Sequence, residues 1–277
     1  MARVPEGPPP PPTVQRLRIR YAKRGRLRFS SHRDFQRAFE RALRRSAVPM
    51  AYSAGFSPHP KVSYAGAAPT GVASEAEYLE IGVAGRCDPA RLREALDQSL
   101  PEGLDVVEVV EARTASLPER LEASVWELRL QAVECDEVAA AVDAFLAADA
   151  VEVQRLTKNG KRTFDARSAV VRIAPVSRGD AAPGGHCAIL QVVVRHVAPA
   201  VRPDDVLSGL RQVAGLAPPT PPLVTRLAQG PLDAETGTVT DPLAPDRDAA
   251  SAADEAAARL PRNTAREGTV VGAASHP

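Results

Sequence analysis

Cysteine is scarce: Cys87, Cys135 and Cys187 are the only three in 277 residues, far apart and without CxxC or CxH spacing. That pattern supports neither a chelating zinc loop nor a disulfide framework, and the three are read as reduced bystanders. No apolar run approaches the roughly 20 residues that a bilayer span needs, and residues 1–12 are proline-rich without the apolar core of a secretory signal. A cytoplasmic protein without membrane attachment is expected. The sequence also lacks GxxxxGK[ST], GxGxxG, GxSxG and HExxH. Nucleotide hydrolysis, dinucleotide chemistry, elbow-type serine hydrolysis and zincin proteolysis therefore have no support, and neither a cofactor nor a metal is expected. Aromatic residues make up only 4% of the chain.

What is present fits a globular body between two tails. A chain with 44% hydrophobic and 25% charged residues can bury one large or two small cores. Residues 1–12 have nothing to bury, and 231–277 are rich in Ala, Asp, Thr, Pro and Gly with scattered apolar residues, so both ends are expected to be disordered. Between them, residues 14–23 alternate, with Arg16, Arg18 and Arg20 on one side and Leu17, Ile19 and Tyr21 on the other, as a half-buried strand does. Ser31-His32-Arg33-Asp34 has capping-box form, and Phe35, Ala38, Phe39, Ala42 and Leu43 follow at helical spacing, which predicts a helix over 32–45. Short strands at 50–53 and 61–64, a strand at 77–83, a helix at 89–100 and a strand at 104–110 complete a βαββαβ order. A looser copy follows: strand 125–133, helix 136–147, strands 151–157 and 168–173 around Asn159-Gly160, strand 189–194, helix 203–213 and strand 223–228. The expected fold is α+β: two tandem ferredoxin-like units, 13–115 and 116–230.

Charge is unevenly placed. Residues 13–62 hold thirteen Lys or Arg against Asp34 and Glu40, a local balance of +11 in a chain of net charge +1. Tyr21, Phe29, Phe35, Phe39, Tyr52, Phe56, Tyr64 and Tyr78 fall in or just beyond that stretch, so rings that could stack on bases coexist with cations that could hold phosphates. Most such rings serve simply as core. On the first helix Arg33, Arg37, Arg41 and Arg44 form a ridge of like charge, which weakens an isolated helix by a few tenths of a kcal/mol per pair. A phosphate backbone or an acidic partner would compensate it, and a salt-screened solvated face is the plain alternative. In Gly55-Phe56-Ser57-Pro58-His59-Pro60-Lys61 two prolines bracket His59 and present an imidazole beside Lys61. His59 could be a general acid or base, a phosphate donor or a metal ligand, with His32 as a second candidate, or either could be an ordinary polar residue. Glu75, Glu77 and Glu80 read best as ion-pair partners of the basic half.

Phe29-Ser30-Ser31-His32-Arg33-Asp34, Ala38-Phe39-Glu40-Arg41-Ala42-Leu43-Arg44-Arg45, Gly55-Phe56-Ser57-Pro58-His59-Pro60-Lys61 and the run from Pro69 to Leu79 together resemble the radical-SAM-linked protein family. That is a bacterial domain of unknown function, found alone or fused to cobalamin-binding radical SAM proteins. The sequence has no CxxxCxxC for an iron–sulfur cluster, so the resemblance implies the stand-alone accessory form. A fainter likeness, in element order, is to the CRISPR repeat-processing endonucleases, which cut RNA with a histidine. Three functions are thus expected, in order. The first is an RNA-binding accessory protein that uses Arg33, Arg37, Arg41, Arg44, His59 and Lys61, with a radical SAM enzyme as a second partner in RNA modification or processing. The second is an RNA-processing endonuclease with His59 or His32 as acid or base. The third is a docking domain for a radical SAM partner with no nucleic-acid role.

Overall fold

The computed structural model describes residues 10–157, 160–176 and 187–259. The expected leader up to residue 9, Lys158 with Asn159 of the expected Asn159-Gly160 turn, and the expected tail from residue 260 lie outside the described residues. The first half of the chain runs β1 (Gln15–Lys23), a short 3-10 turn (Gly25–Phe29), α1 (His32–Arg45), β2 (Val62–Ala65), β3 (Ala73–Val83), α2 (Pro89–Ser99) and β4 (Leu104–Glu111). The second runs β5 (Ala123–Gln131), α3 (Cys135–Ala147), β6 (Glu152–Thr157), β7 (Gly160–Asp165), β8 (Val170–Val176), β9 (Cys187–Arg195), α4 (Pro203–Ala214) and β10 (Leu223–Gly230), and α5 (Ala244–Arg259) follows. Eight strands form one mixed sheet in the order β4-β1-β3-β10-β5-β9-β8, with β2 also on β3, while β6 and β7 pair as a separate ribbon. The two halves meet where β10 pairs in parallel with the start of β3, through Thr225 opposite Ala73 and Arg226 opposite Ser74.

Strand alternation decides what each face of the sheet carries. Leu17, Ile19 and Tyr21 of β1 and Leu79, Ile81 and Val83 of β3 pack under α1 and α2 with Phe35, Phe39, Ala42, Leu43, Leu92 and Leu96. The Tyr21 and Phe35 rings stack at 4.2 Å between centroids. Burying each such ring stabilises the fold by about 1.5–3 kcal/mol. Helix α1 starts where its sequence says it should: Ser31 Oγ accepts from the Asp34 amide at 3.2 Å, and the Asp34 carboxylate accepts from the Ser31 amide at 3.3 Å. Asp88 caps α2 by accepting from the Ala90 amide at 2.8 Å, with Pro89 at its first position. A second core, around Trp126, Leu128, Leu130, Phe145 and Leu210, lies under α3 and α4.

Three expectations need correction. Residues 50–53 form no strand; Met50 and Tyr52 make single bridges, to Val83 and Pro60. An additional strand, β7, pairs antiparallel with β6, from Thr157 opposite Gly160 to Glu152 opposite Asp165. The region 231–259, expected as part of a disordered tail, instead bridges Leu232 to Val239 and forms α5. Its apolar anchors are few, Pro242 and Leu243, which is why composition misjudged it. Leu243 is fully buried, and Asp246 inserts a carboxylate into a cluster of donors from Arg18, Arg113, Thr114 and Arg120. Because Arg18 alternates with Leu17 and Ile19, α5 covers the sheet face opposite α1 and α2.

Candidate nucleic-acid interface

The basic residues of the first half divide sharply by partner. Arg18 donates to Glu80 at 3.0 Å and to Asp246 at 2.6 Å. Arg20 donates to the Glu75 carbonyl at 2.9 Å, and Arg24 pairs with Glu75 and, at 2.7 Å, with Asp105. Lys23 is buried with its ammonium near the Ala68 and Pro69 carbonyls, and burial lowers its pKa. Glu77 is the buried partner of Arg226, so all three carboxylates Glu75, Glu77 and Glu80 act in ion pairs. These cations do not add to a binding surface; they hold the sheet together.

The ridge on α1 is different. Arg33, Arg37, Arg41 and Arg44 are all exposed, and no hydrogen bond or ion pair engages them among the described residues. They sit across the helix from Phe35, Phe39, Ala42 and Leu43, so they point away from the core. Of the two carboxylates on the helix, Glu40 accepts a hydrogen bond from Gln36 at 3.1 Å, and Asp34 is held by Ser31 in the capping box, acting on Arg33 and Arg37 only through its charge. Just before α1, the Arg28 guanidinium lies over the Phe29 ring at 4.7 Å, and that ring is 59% exposed. Four unpaired guanidinium groups along about three helical turns, beside an exposed ring, form a surface suited to a polyanion.

His32 is the exposed first residue of α1, its ring edge-on to Tyr64 at 4.6 Å. His59 stands elsewhere, on a loop pinned at both ends: the Ser53 amide donates to the His59 carbonyl at 2.9 Å, and the His59 amide donates to Ser53 Oγ at 3.0 Å. His59 and Lys61 share a cleft of about 400 Å³ with Thr13, Arg16, Ser53 and Glu80, which His32 does not line. Lys61 accepts a backbone bond from Gly82, and Gly82 pairs in register with Arg16. The cleft therefore opens on the sheet face that α1 and α2 leave uncovered, and the residues expected as one site fall into two places, the α1 ridge and this cleft.

Sequence reading missed other polar clusters. Arg226 bonds Glu77, donates to the Gly66 carbonyl at 2.7 Å and lies 5.5 Å from the Trp126 ring centroid, which joins the halves. His196 Nδ1 donates to the Leu121 carbonyl at 2.6 Å, and its Nε2 accepts from the Ser124 hydroxyl at 2.7 Å. Burial lowers its pKa and Arg226 adds to that effect, against the opposing Leu121 bond. It lines a cleft of about 440 Å³ with Glu119 and Glu122, but Ser124 is fully buried, so this pair presents no nucleophile. No local motif announces any of these residues. Among the described residues no group of three or more His, Cys, Asp or Glu is placed to hold a metal ion, and no helix is long and apolar enough to cross a membrane.

The fold and its free cationic face define a mixed α/β protein built on one large sheet. The chain belongs to the family described as "Uncharacterized protein conserved in bacteria (DUF2344)", whose profile matches residues 16–203, more than half of it. Among curated proteins, none matches this chain. The matched region holds the α1 ridge, His59 and Lys61, and it stops before β10 and α5, which supply Arg226 and Asp246.

Proposed function

We propose that this protein is an RNA-binding accessory protein of the cytoplasm, acting with a radical SAM enzyme in RNA modification or processing, and that the outer face of α1 is its RNA contact. One observation carries the reading: the neighbouring cations Arg18, Arg20, Lys23 and Arg24 have internal partners, while Arg33, Arg37, Arg41 and Arg44 have none among the described residues. A like-charged ridge retained against its own repulsion is what a phosphate backbone would neutralise. The strand order β4-β1-β3 with β2 on β3, repeated as β10-β5-β9-β8, supports reading each half as a ferredoxin-like unit, with the β6–β7 ribbon as an insertion in the second.

The test is binding of purified protein to total cellular RNA at low and high salt. Wild-type affinity is expected to fall steeply with salt. Replacing Arg37, Arg41 and Arg44 by Ala is expected to weaken binding more than tenfold and to reduce the salt slope by about 2–3. Binding indifferent to salt, or unchanged in the triple variant, would sink the proposal. A second reading, an endonuclease with His59 as acid or base, is favoured by the shared cleft of His59 and Lys61. RNA left intact after incubation with the pure protein would reject it.

A further inference from the structure

We infer that the cleft lined by Arg16, His59 and Lys61 is a binding site for a phosphomonoester, either on an RNA end or on a free nucleotide. The site is separate from the α1 ridge and does not depend on that ridge binding RNA.

Charge in the cleft favours such a ligand. Glu80, the carboxylate in the cleft, lies 3.0 Å from Arg18, which in turn pairs with Asp246 at 2.6 Å, and Asp246 also pairs with Arg120 at 3.1 Å. Two carboxylates and two guanidinium groups cancel within that network. Arg16 reaches Glu80 only at 3.9 Å with its side chain 68% exposed, and the Lys61 ammonium donates to the neutral hydroxyl of Thr13 at 3.0 Å. Two positive charges in the cleft are thus uncompensated. A phosphomonoester carries about −1.5 to −2 at pH 7, whereas an internal phosphodiester carries a single negative charge, so the cleft complements the monoester.

Donors and space agree with that charge. The Ser53 hydroxyl accepts from the His59 amide and the Thr13 hydroxyl accepts from Lys61, which leaves both hydroxyl protons to donate, and His59 adds a ring N–H. Gly82 forms the floor: a Cβ there would come within 3.1 Å of Thr13 Cγ2 and 3.4 Å of Lys61 Cβ, so a side chain would push apart the residues that frame the cleft.

Calorimetric titration of the full chain tests this with inorganic phosphate, adenosine 5′-monophosphate and a dinucleoside phosphodiester without a terminal phosphate. Phosphate and the monophosphate should bind, and the diester should bind at least tenfold more weakly. A double variant, Arg16→Ala with Lys61→Ala, should lose monophosphate binding with its thermal midpoint unchanged, while the α1 triple variant should keep it. An RNA oligonucleotide bearing a 5′-phosphate that binds more tightly than both its 5′-hydroxyl form and the monophosphate would identify an RNA end as the source. Equal binding of all three would overturn the inference. So would diester binding as tight as monoester binding, no binding of either monoester by the wild type, or full binding by the double variant.

Discussion

Arg18 and Asp246 stand 228 residues apart in the chain, and their side chains meet at 2.6 Å with exposures of 3% and 0%. The pair fastens α5 to the sheet face opposite α1. Burial alone would raise the Asp246 pKa, but the Thr114 hydroxyl, the Arg18 guanidinium and the Arg113 amide outweigh it and hold the carboxyl below its ordinary range. Its contribution to stability is therefore present above the unfolded carboxylate pKa of about 3.9 and is lost as pH falls through the lower folded value. Asp246→Ala leaves the part-buried Arg120 without its acid and the buried Arg18 with Glu80 alone. Urea denaturation should show a loss of about 3–5 kcal/mol; a loss below about 1 kcal/mol would mean that α5 contributes little to holding the sheet.

Arg226 and Glu77 should behave similarly at the joint between the halves. Arg226 lies over Trp126, the only tryptophan, so its fluorescence reports on this joint directly. Arg226→Lys keeps the charge but loses the planar fork that reaches Glu77, Ser74 and the Gly66 carbonyl together. The variant should unfold at lower urea by about 2–3 kcal/mol with altered native Trp126 emission. Unchanged emission and stability would show that the joint depends on the paired strands alone.

These two pairs mark where sequence reading reaches and where it stops. Local order was legible because its causes are local: the Ser31–Asp34 box and the Phe35, Phe39 and Leu43 spacing specify α1, and the Leu17, Ile19, Tyr21 alternation specifies β1. The α1 ridge was legible for the same reason, since residues spaced by three and four share a helix face wherever the helix packs. Arg18 has the same sequence signature as Arg37, one arginine in a basic run. Its difference is set by Asp246, an acid in an alanine-rich stretch that composition reads as solvated, and no local pattern links residues so far apart. His59 and Lys61 were found by their prolines, but their position on the far side of the sheet from α1 follows from the pairing of Gly82 with Arg16, a register that the sequence does not spell out.

The α1 ridge also has a consequence for stability that separates binding from folding. Successive arginines at positions 33, 37, 41 and 44 repel one another, and no acid pairs with them among the described residues. Replacing Arg37, Arg41 and Arg44 by Ala removes that repulsion and installs the best helix former. The variant should be as stable as the wild type or more stable by a few tenths of a kcal/mol, measured by thermal melting. A variant that melts several degrees lower would show that these arginines serve the fold, and its loss of RNA binding could not then be assigned to lost contacts.

His196 makes the protein's stability depend on pH in the mildly acidic range. Its Nε2 accepts from the Ser124 hydroxyl while Nδ1 donates to the Leu121 carbonyl, an arrangement available only to the neutral ring. Burial and Arg226 lower its folded pKa below the ordinary value. The folded protein thus binds this proton less readily than the unfolded chain does. The His196 contribution is present above the unfolded value of about 6.5 and is lost as pH falls through the lower folded pKa. The urea midpoint of the wild type should drop between pH 7 and pH 5. In His196→Gln, which can still meet both neighbours without titrating, that part of the drop should be absent, leaving only the carboxylate-driven loss at lower pH. Identical profiles for the two proteins would show that His196 is as free to take up a proton in the folded state as in the unfolded one.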